Sequence, residues 1–161
     1  MGCRRLGNRA TFHHALCVMS ASLPEPIFKR LITVSASVID GNGHVNNVAY
    51  VQWMQDIAVE HYASIHGVEA QGANSTWVVR EHKIEYLLPA FEGEEIEIQT
   101  WIADVRRVRS LRCYKFVRKS DAKLLVRGET DWVFVDVKTG APRAIPSSVA
   151  SIMPVLADKN F

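Results

Sequence analysis

The sequence predicts an α+β domain in which an antiparallel sheet packs against one long helix. Three observations support this fold class: an alternating first segment, a long stretch of helical periodicity after it, and only strand patterns beyond the helix. Strands joined by short turns pair antiparallel, and a sheet of this length can curl around a helix on one face. The 161 residues suffice for one such domain and hardly for two.

Residues 31–39 (LITVSASVI) predict the first strand. Val34, Ala36 and Val38 point to one face and the hydroxyl side chains between them point to the other, which is the period of a half-buried strand. A Gly-Asn-Gly sequence at 41–43 then ends this strand.

Residues 46–66 change to the helical period. Apolar side chains recur at steps of three and four, and further apolar residues widen this face well beyond a surface stripe. We therefore expect a long helix that is largely enclosed, about 30 Å in length at ~1.5 Å per residue. Asn46 or Asn47 can cap its start, and Gly67 is expected to end it.

Four more strands are predicted, at residues 77–86, 95–103, 111–118 and 124–136. The last two flank a Lys-Ser-Asp-Ala turn, and Pro146 is expected to open a short terminal helix. No second linker or repeat interrupts the sequence, so we expect one domain over residues 24–161.

Residues 1–23 show no periodicity and carry three arginines without an acidic residue. We interpret them as a disordered extension, or as translation assigned too far upstream with Met19 as the natural start. An organelle transit peptide has the same composition and stays open as an alternative. The localisation expected of the domain itself is cytoplasmic.

The remainder of the chain is close to neutral, because it holds 16 basic and 17 acidic residues. Charge therefore gives no argument for a nucleic-acid partner, and no apolar stretch is long enough to predict a membrane span. Three cysteines without C-x-x-C spacing predict neither a disulfide framework nor a metal site, and no cofactor is expected. Cys113, His61, His66 and His82 are interpreted as packing or surface residues.

The segment with chemical content is residues 40–50 (DGNGHVNNVAY), between the first strand and the helix. The unpaired N–H groups of a helix start favour developing negative charge, and a carboxylate just before them is placed to act as a general base or nucleophile. Acyl transfer needs both groups. The alternative is that these are ordinary turn and cap residues, since Asp, Asn and Gly are frequent before helices.

Residues 40–53 (DGNGHVNNVAYVQW) resemble the hotdog-fold thioesterases. The D-x-N-x-H-V-N-N-x-x-Y pattern is similar to that of acyl-carrier-protein thioesterases, and its D-x-x-G core is shared with the 4-hydroxybenzoyl-CoA thioesterase type. A weaker similarity runs through residues 77–102 and 132–136. The resemblance implies six strands wrapped around the helix, and homodimers, or dimers of dimers, whose active sites lie between subunits. It implies hydrolysis of an acyl-CoA or acyl-carrier-protein thioester, and so a place in fatty acid metabolism.

The same resemblance assigns roles to individual residues. Asp40 matches the catalytic acid, and whether it acts as base or nucleophile stays open. Asn42 and His44 match the polar pair beside that acid, and Asn47 matches the position whose backbone N–H polarises the thioester carbonyl. Tyr50 matches an aromatic residue of the first helical turn, which borders the substrate or only packs.

Two further segments bear on the substrate. Plant acyl-carrier-protein thioesterases carry a Glu-Cys pair where this chain reads Pro89-Ala90, so the choice between coenzyme A and carrier protein stays open. Arg106, Arg107 and Arg109, in a basic stretch of residues 106–127, can bind the phosphates of coenzyme A. The alternative for that stretch is a pair of solvated strand faces.

Two other functions fit the same fold. A hotdog-fold hydratase or dehydratase uses neighbouring Asp and His five residues apart, whereas His44 follows Asp40 by four. A non-catalytic acyl-CoA-binding module is the second alternative. The sequence gives no indication of the acyl group.

Overall fold

Five strands and one long helix account for most of residues 25–157, the part of the chain that the computed structural model describes. The interpretation of residues 1–23 as an extension concerns residues outside this range. The strands are β1 (Phe28–Thr33), β2 (Ser75–Tyr86), β3 (Glu95–Arg106), β4 (Arg109–Arg118) and β5 (Leu124–Asp136). The helices are α1 (Asn47–Ser64), α2 (Gly67–Gln71) and α3 (Ser147–Ala150).

The strands form one antiparallel sheet in the order β1-β3-β4-β5-β2. The short strand β1 forms one edge and the 12-residue strand β2 forms the other. The β4–β5 hairpin follows the turn that the sequence predicts, and β5 has the predicted bounds. β3 and β4 extend beyond their predicted bounds, to Arg106 and from Arg109. The predicted α+β class and the antiparallel sheet are confirmed.

Helix α1 lies across the centre of the sheet. Met54 and Ile57 are fully buried, and they belong to the same apolar cluster as Ile98 of β3 and Phe116 of β4. Gly128 of β5 lets the helix approach closely, since a Cβ there would lie 3.0 Å from the terminal carbon of Met54. One face of α1 is therefore buried, but the prediction of a largely enclosed helix is wrong, because Val48 and Val59 on α1 are 76% and 54% exposed.

The predicted first strand is wrong beyond Thr33, where β1 ends. Residues Ala36–Val38 form a 3-10 turn, and Val34 is buried while Ser35, Ala36 and Ser37 are exposed. The reason is a competing set of hydrogen bonds: the Val38 carbonyl accepts from the segment that starts α1 rather than from a neighbouring strand. The described residues therefore form five strands, not the six that the family resemblance implies.

The end of α1 also differs from the prediction. The left-handed residue after the helix is His66 (φ 58°), and Gly67 instead begins α2. Gly67 is required for a different reason, because a Cβ at this position would overlap the ring of Tyr62. The glycine allows a close packing contact rather than an unusual backbone angle.

Candidate active site

The loop between β1 and α1 is a closed turn that begins and ends at two candidate residues. The Asp40 N–H donates to the His44 carbonyl (3.0 Å), and the Gly43 N–H donates to the Asp40 carbonyl (3.0 Å). Gly43 has a φ of 79°, which an L side chain rarely adopts. An isolated antiparallel bridge joins the residues on either side of the turn. The turn thus fixes the backbone of Asp40 relative to the start of α1.

Asn42 holds the Asp40 carboxylate. Its backbone N–H donates to Oδ1 of Asp40 at 2.8 Å, and its Nδ2 lies 3.4 Å from Oδ2. Asp40 is half-buried and Asn42 is exposed. The structure therefore brings these two residues together, with Asn42 orienting the carboxylate.

Asn46, not Asn47, caps α1. The Asn46 Oδ1 accepts from the Ala49 N–H (2.9 Å), while its Nδ2 and backbone N–H both donate to the Val38 carbonyl (2.8 and 2.9 Å). This residue ties the helix start to the segment that leads into Asp40.

The backbone N–H of Asn47 stays open to a ligand. Asn47 is the first residue of α1, its side chain is exposed, and its N–H has no acceptor among residues 25–157. A first-turn N–H of this kind carries part of the positive end of the helix. It can donate to a carbonyl oxygen that gains negative charge.

An apolar groove of about 300 Å³ runs past this helix start. His44 and Asn47 line it together with Tyr50 and the residues that follow β2. Tyr86, at the end of β2, donates from its hydroxyl to the Asn47 carbonyl (3.4 Å). Sequence patterns missed Tyr86 and Pro89 as groove residues, because only the pairing of β2 with β5 brings this strand end to the helix start.

The ring of His44 lies in this groove with its Nδ1 3.3 Å from the Val45 carbonyl. A carbonyl only accepts, so this contact selects the tautomer with the proton on Nδ1. In this tautomer Nε2 is an acceptor, suited to orienting water.

Tyr50 is a packing residue that also borders the groove. It is 3% exposed, and its ring makes edge contacts with Trp53, Tyr86 and Phe116. Burial, and then the neighbouring Glu94 carboxylate, raises the pKa of Tyr50 to about 12. Its hydroxyl is therefore protonated at neutral pH.

Three predicted phosphate-binding arginines lie at the opposite end of the sheet from Asp40. They flank the β3–β4 turn, whereas the Asp40 loop follows the end of β1 that pairs with the start of β3. Arg106 pairs with Asp104 and Arg109 pairs with Asp131, at 2.6 and 3.0 Å, while Arg107 is exposed. One copy of the chain does not bring them to Asp40.

The Pro89–Ala90 segment contributes no acid to this site. Ala90 is 1% exposed, and its carbonyl accepts from the Val45 N–H at 2.9 Å. Pro89 lines the groove, and its carbonyl accepts from Arg118 at 2.7 Å. These two residues support the loop with backbone hydrogen bonds and apolar contacts.

The sequence pattern of the thioesterase-like superfamily matches residues 34–153, a span that contains the loop, α1 and four of the five strands. The chain belongs to this superfamily. No curated protein matches the sequence significantly. Within residues 25–157, no cluster of His, Cys, Asp and Glu could hold a metal ion, and no helix has the length and apolarity to cross a membrane.

Solved structures confirm the hotdog fold of this superfamily member. The 1,4-dihydroxy-2-naphthoyl-CoA thioesterase of Synechocystis superposes with a TM-score of 0.70 at 18% identity, over 78% of this chain and 94% of that one. A Staphylococcus aureus protein in complex with CoA gives 0.72 at 22%, over 78% and 80%. An acyl-ACP thioesterase from Bacteroides thetaiotaomicron gives 0.69 at 21%, over 78% and 52%.

Proposed function

We propose that this protein hydrolyses an acyl thioester of coenzyme A to the free acid and the thiol. The observation that carries the proposal is the pairing, on one short loop, of a carboxylate oriented by Asn42 with the open N–H of Asn47. Hydrolysis of a thioester needs a group that activates the attacking oxygen and a donor for the carbonyl oxygen. The adjoining apolar groove gives the substrate a place to bind.

In the base mechanism, Asp40 takes a proton from a water molecule as its oxygen attacks the thioester carbon. The carbonyl oxygen gains negative charge and accepts a hydrogen bond from the Asn47 N–H. The intermediate then collapses, the C–S bond breaks, and the thiolate leaves and takes up the proton.

In the nucleophile mechanism, the Asp40 carboxylate itself attacks, the thiolate leaves, and water cleaves the resulting acid anhydride. One turnover in ¹⁸O-labelled water, together with hydroxylamine trapping, distinguishes the two routes. Label in the Asp40 side chain, or an acylated Asp40 captured by hydroxylamine, supports the nucleophile. Label only in the released acid with no trapped acyl-enzyme supports the base.

Coenzyme A is favoured over a carrier protein for two reasons. The segment where plant acyl-carrier-protein enzymes have a second acid is Pro89–Ala90 here, and it serves a structural purpose. A protein of the same fold has been solved in complex with CoA. Parallel assays with one acyl group on CoA and on a carrier protein test this choice.

The experiment that tests the function measures thiol release from acyl-CoA by the wild type and by Asp40→Asn. The amide oxygen can still accept from the Asn42 N–H, so the fold should persist, while turnover should fall by at least ~10², the scale of a general-base contribution. Asp56→Asn is the matched control, because within residues 25–157 this half-buried acid bonds only Gln52 on α1. Near-wild-type turnover in Asp40→Asn would contradict the assignment of Asp40 as the catalytic acid. A hydratase or a simple binding module would release no thiol.

We also propose that the active protein is a homodimer built on β2. Among residues 25–157, this 12-residue strand pairs only with β5 and leaves its other edge open. Val78 and Val79 on it are 43% and 38% exposed. Charges alternate in sign from Arg80 through Glu81 to Lys83, so two antiparallel copies can place opposite charges together.

Such a dimer supplies what one copy lacks. Two antiparallel β2 strands, paired about their middle, bring the Ser75 end of one copy beside the Tyr86 end of the other. Tyr86 contacts the helix start of its own Asp40 loop, and the β3–β4 turn lies at the Ser75 end. The arginines of that turn would then face the Asp40 loop of the second copy, which supports a role in binding coenzyme A phosphates.

Sedimentation of Glu81→Lys and Glu81→Gln tests the interface. The lysine makes the centre of the strand uniformly positive, so it should give an inactive monomer, while the glutamine should stay dimeric. A wild type that is an active monomer would contradict the dimer.

Mixed dimers test whether the site is shared. Asp40→Asn and the triple variant Arg106→Ala, Arg107→Ala, Arg109→Ala should each be impaired alone. Random mixing makes about half the dimers heterodimers with one intact site in two, so about a quarter of the wild-type activity should return. No recovery would show that the arginines serve their own copy or do not bind substrate.

A further inference from the structure

A cavity of about 250 Å³ lies beside the C-terminal half of α1, away from the Asp40 loop of the same copy. Its walls come from α1, α2, β2, β4 and β5. Three of the side chains that line it are aromatic: Tyr62, Trp77 and Trp132. A cavity of about 150 Å³ can hold benzene. This one therefore has room for a compact organic group somewhat larger than one ring.

A buried arginine lines this cavity. Arg112 of β4 is 5% exposed, and it alone is charged among the described lining residues. Its Nη1 lies 2.8 Å from Nδ1 of His61 and 3.2 Å from Oγ1 of Thr100. Within residues 25–157 its Nε and Nη2 make no hydrogen bond, and no carboxylate forms an ion pair with it.

Neither neighbour of Arg112 supplies a negative charge. Burial, and then the adjacent guanidinium, lowers the pKa of His61 to about 3, so this ring is neutral and accepts through Nδ1. The Thr100 hydroxyl donates a hydrogen bond to the Cys113 carbonyl at 3.0 Å. An arginine keeps its proton even when buried, so the cavity carries a positive charge that the described residues leave unbalanced.

A buried charge without a counter-charge is costly, and an anion bound beside it offsets that cost. We infer that the cavity binds the acyl group of the substrate and that Arg112 selects acyl groups ending in a carboxylate. The inference rests on the proposed function and on the β2 dimer, which brings the cavity of one copy beside the Asp40 loop of the other. No described acidic side chain lines the cavity to repel such a group.

Two substrates of matched shape test the selection. Glutaryl-CoA and 5-methylhexanoyl-CoA have the same length and branching, and differ in a terminal carboxylate against a terminal isopropyl group. The wild type should favour glutaryl-CoA in kcat/KM by at least about tenfold, and Arg112→Met should abolish the preference while still hydrolysing the neutral substrate. A wild-type ratio near one, or an unchanged ratio in Arg112→Met, overturns the inference.

A second variant applies even if Arg112→Met does not fold. Ser110 lines the same cavity two residues before Arg112, on the same face of β4, and is 4% exposed. Ser110→Asp places a carboxylate next to the guanidinium, so its melting temperature should exceed that of the isosteric control Ser110→Asn. Ser110→Asp should also lose the preference for glutaryl-CoA. Equal melting temperatures, with the preference intact in both, contradict the proposed charge recognition.

Binding of free glutarate separates this inference from the proposed function. Millimolar glutarate should raise the melting temperature of the wild type and of Ser110→Asn, but not of Ser110→Asp. If no acyl-CoA is hydrolysed and glutarate still binds in this pattern, the hydrolase assignment fails and the anion site stands. If acyl-CoA is hydrolysed but glutarate shifts none of the three, the anion site fails alone.

Discussion

The two neighbouring asparagines at the start of α1 should behave very differently when truncated. Asn46 donates two hydrogen bonds to the Val38 carbonyl, one from its side chain and one from its backbone, and its Oδ1 accepts a third from the Ala49 N–H. Asn47 is exposed and uses only its backbone. Asn46→Ala should therefore destabilise the protein and Asn47→Ala should not.

The magnitude follows from the two side-chain bonds of Asn46. Loss of the cap costs about 1 kcal/mol, and loss of the bond to the Val38 carbonyl costs about 1 kcal/mol more. A total of about 2 kcal/mol corresponds to a fall in melting temperature of roughly 4–8 °C for a chain of this size. Asn47→Ala should stay within about 0.5 kcal/mol of the wild type.

Urea unfolding followed by circular dichroism measures both variants. Asn46→Ser is the matched control, because serine keeps a cap acceptor for the Ala49 N–H but cannot reach Val38, so it should lose only about 1 kcal/mol. The slope with urea should be the same in all three, since the surface exposed on unfolding does not change. Equal losses in Asn46→Ala and Asn47→Ala would refute the assignment of the cap.

Three more predictions concern the site and its surroundings. His44→Ala should lower turnover about tenfold or more with little change in melting temperature, because the ring acts in the groove; wild-type turnover would exclude it from the reaction. Gly67→Ala should cost about 1–3 kcal/mol in urea unfolding, since its Cβ overlaps the ring of Tyr62; an unchanged midpoint would show that the ring moves freely. A chain that starts at Met19 should match the full chain in melting temperature and turnover, and a clear loss of either would show that the removed segment supports the domain.

Most of the fold could be predicted from hydrophobic periodicity alone, because each long strand and the long helix bury one face. The prediction failed in the segment just before α1, where the alternating pattern indicated a strand. Val34, Ala36 and Val38 alternate as a strand would, yet the Val38 carbonyl is taken by Asn46, and the chain turns early. Hydrogen bonds between a loop and a helix cap leave no periodic trace in the sequence.

The candidate site was only partly readable. Asp40, Asn42 and Asn47 come together because they are neighbours in sequence, and a local motif suffices to predict that. Arg106 and Arg112 show what local patterns do not give. Ser110, Arg112 and Tyr114 are buried on one face of β4, whereas the basic stretch was predicted either to bind phosphates or to form solvated strand faces. The end of the sheet at which Arg106 lies depends on the order of the strands, and hydrophobic periodicity does not specify that order.

The His61–Arg112 contact predicts a specific dependence of stability on pH. Burial, and then Arg112, lowers the pKa of His61 to about 3, from an ordinary value of 6.5. Between these values the unfolded chain binds this proton and the folded chain does not, so the free energy of unfolding falls as the pH falls. At pH 5 the contribution of His61 to the free energy of unfolding is about 2 kcal/mol less than at pH 7.5. Above about pH 7 this contribution hardly changes.

His61→Asn isolates this contribution, because the amide oxygen can still accept from Arg112 but does not titrate. The other groups near the ring are Phe28, which stacks on it at 5.3 Å, and Glu25 and Lys29, which line the same hollow. Burial also lowers the pKa of His82, but that residue is present in both proteins and its effect cancels. Urea unfolding between pH 5 and 7.5 should give the wild type a steeper fall by about 2 kcal/mol. Parallel profiles would mean that His61 takes up its proton over the same pH range in the folded and the unfolded chain, which would contradict a neutral ring held beside Arg112.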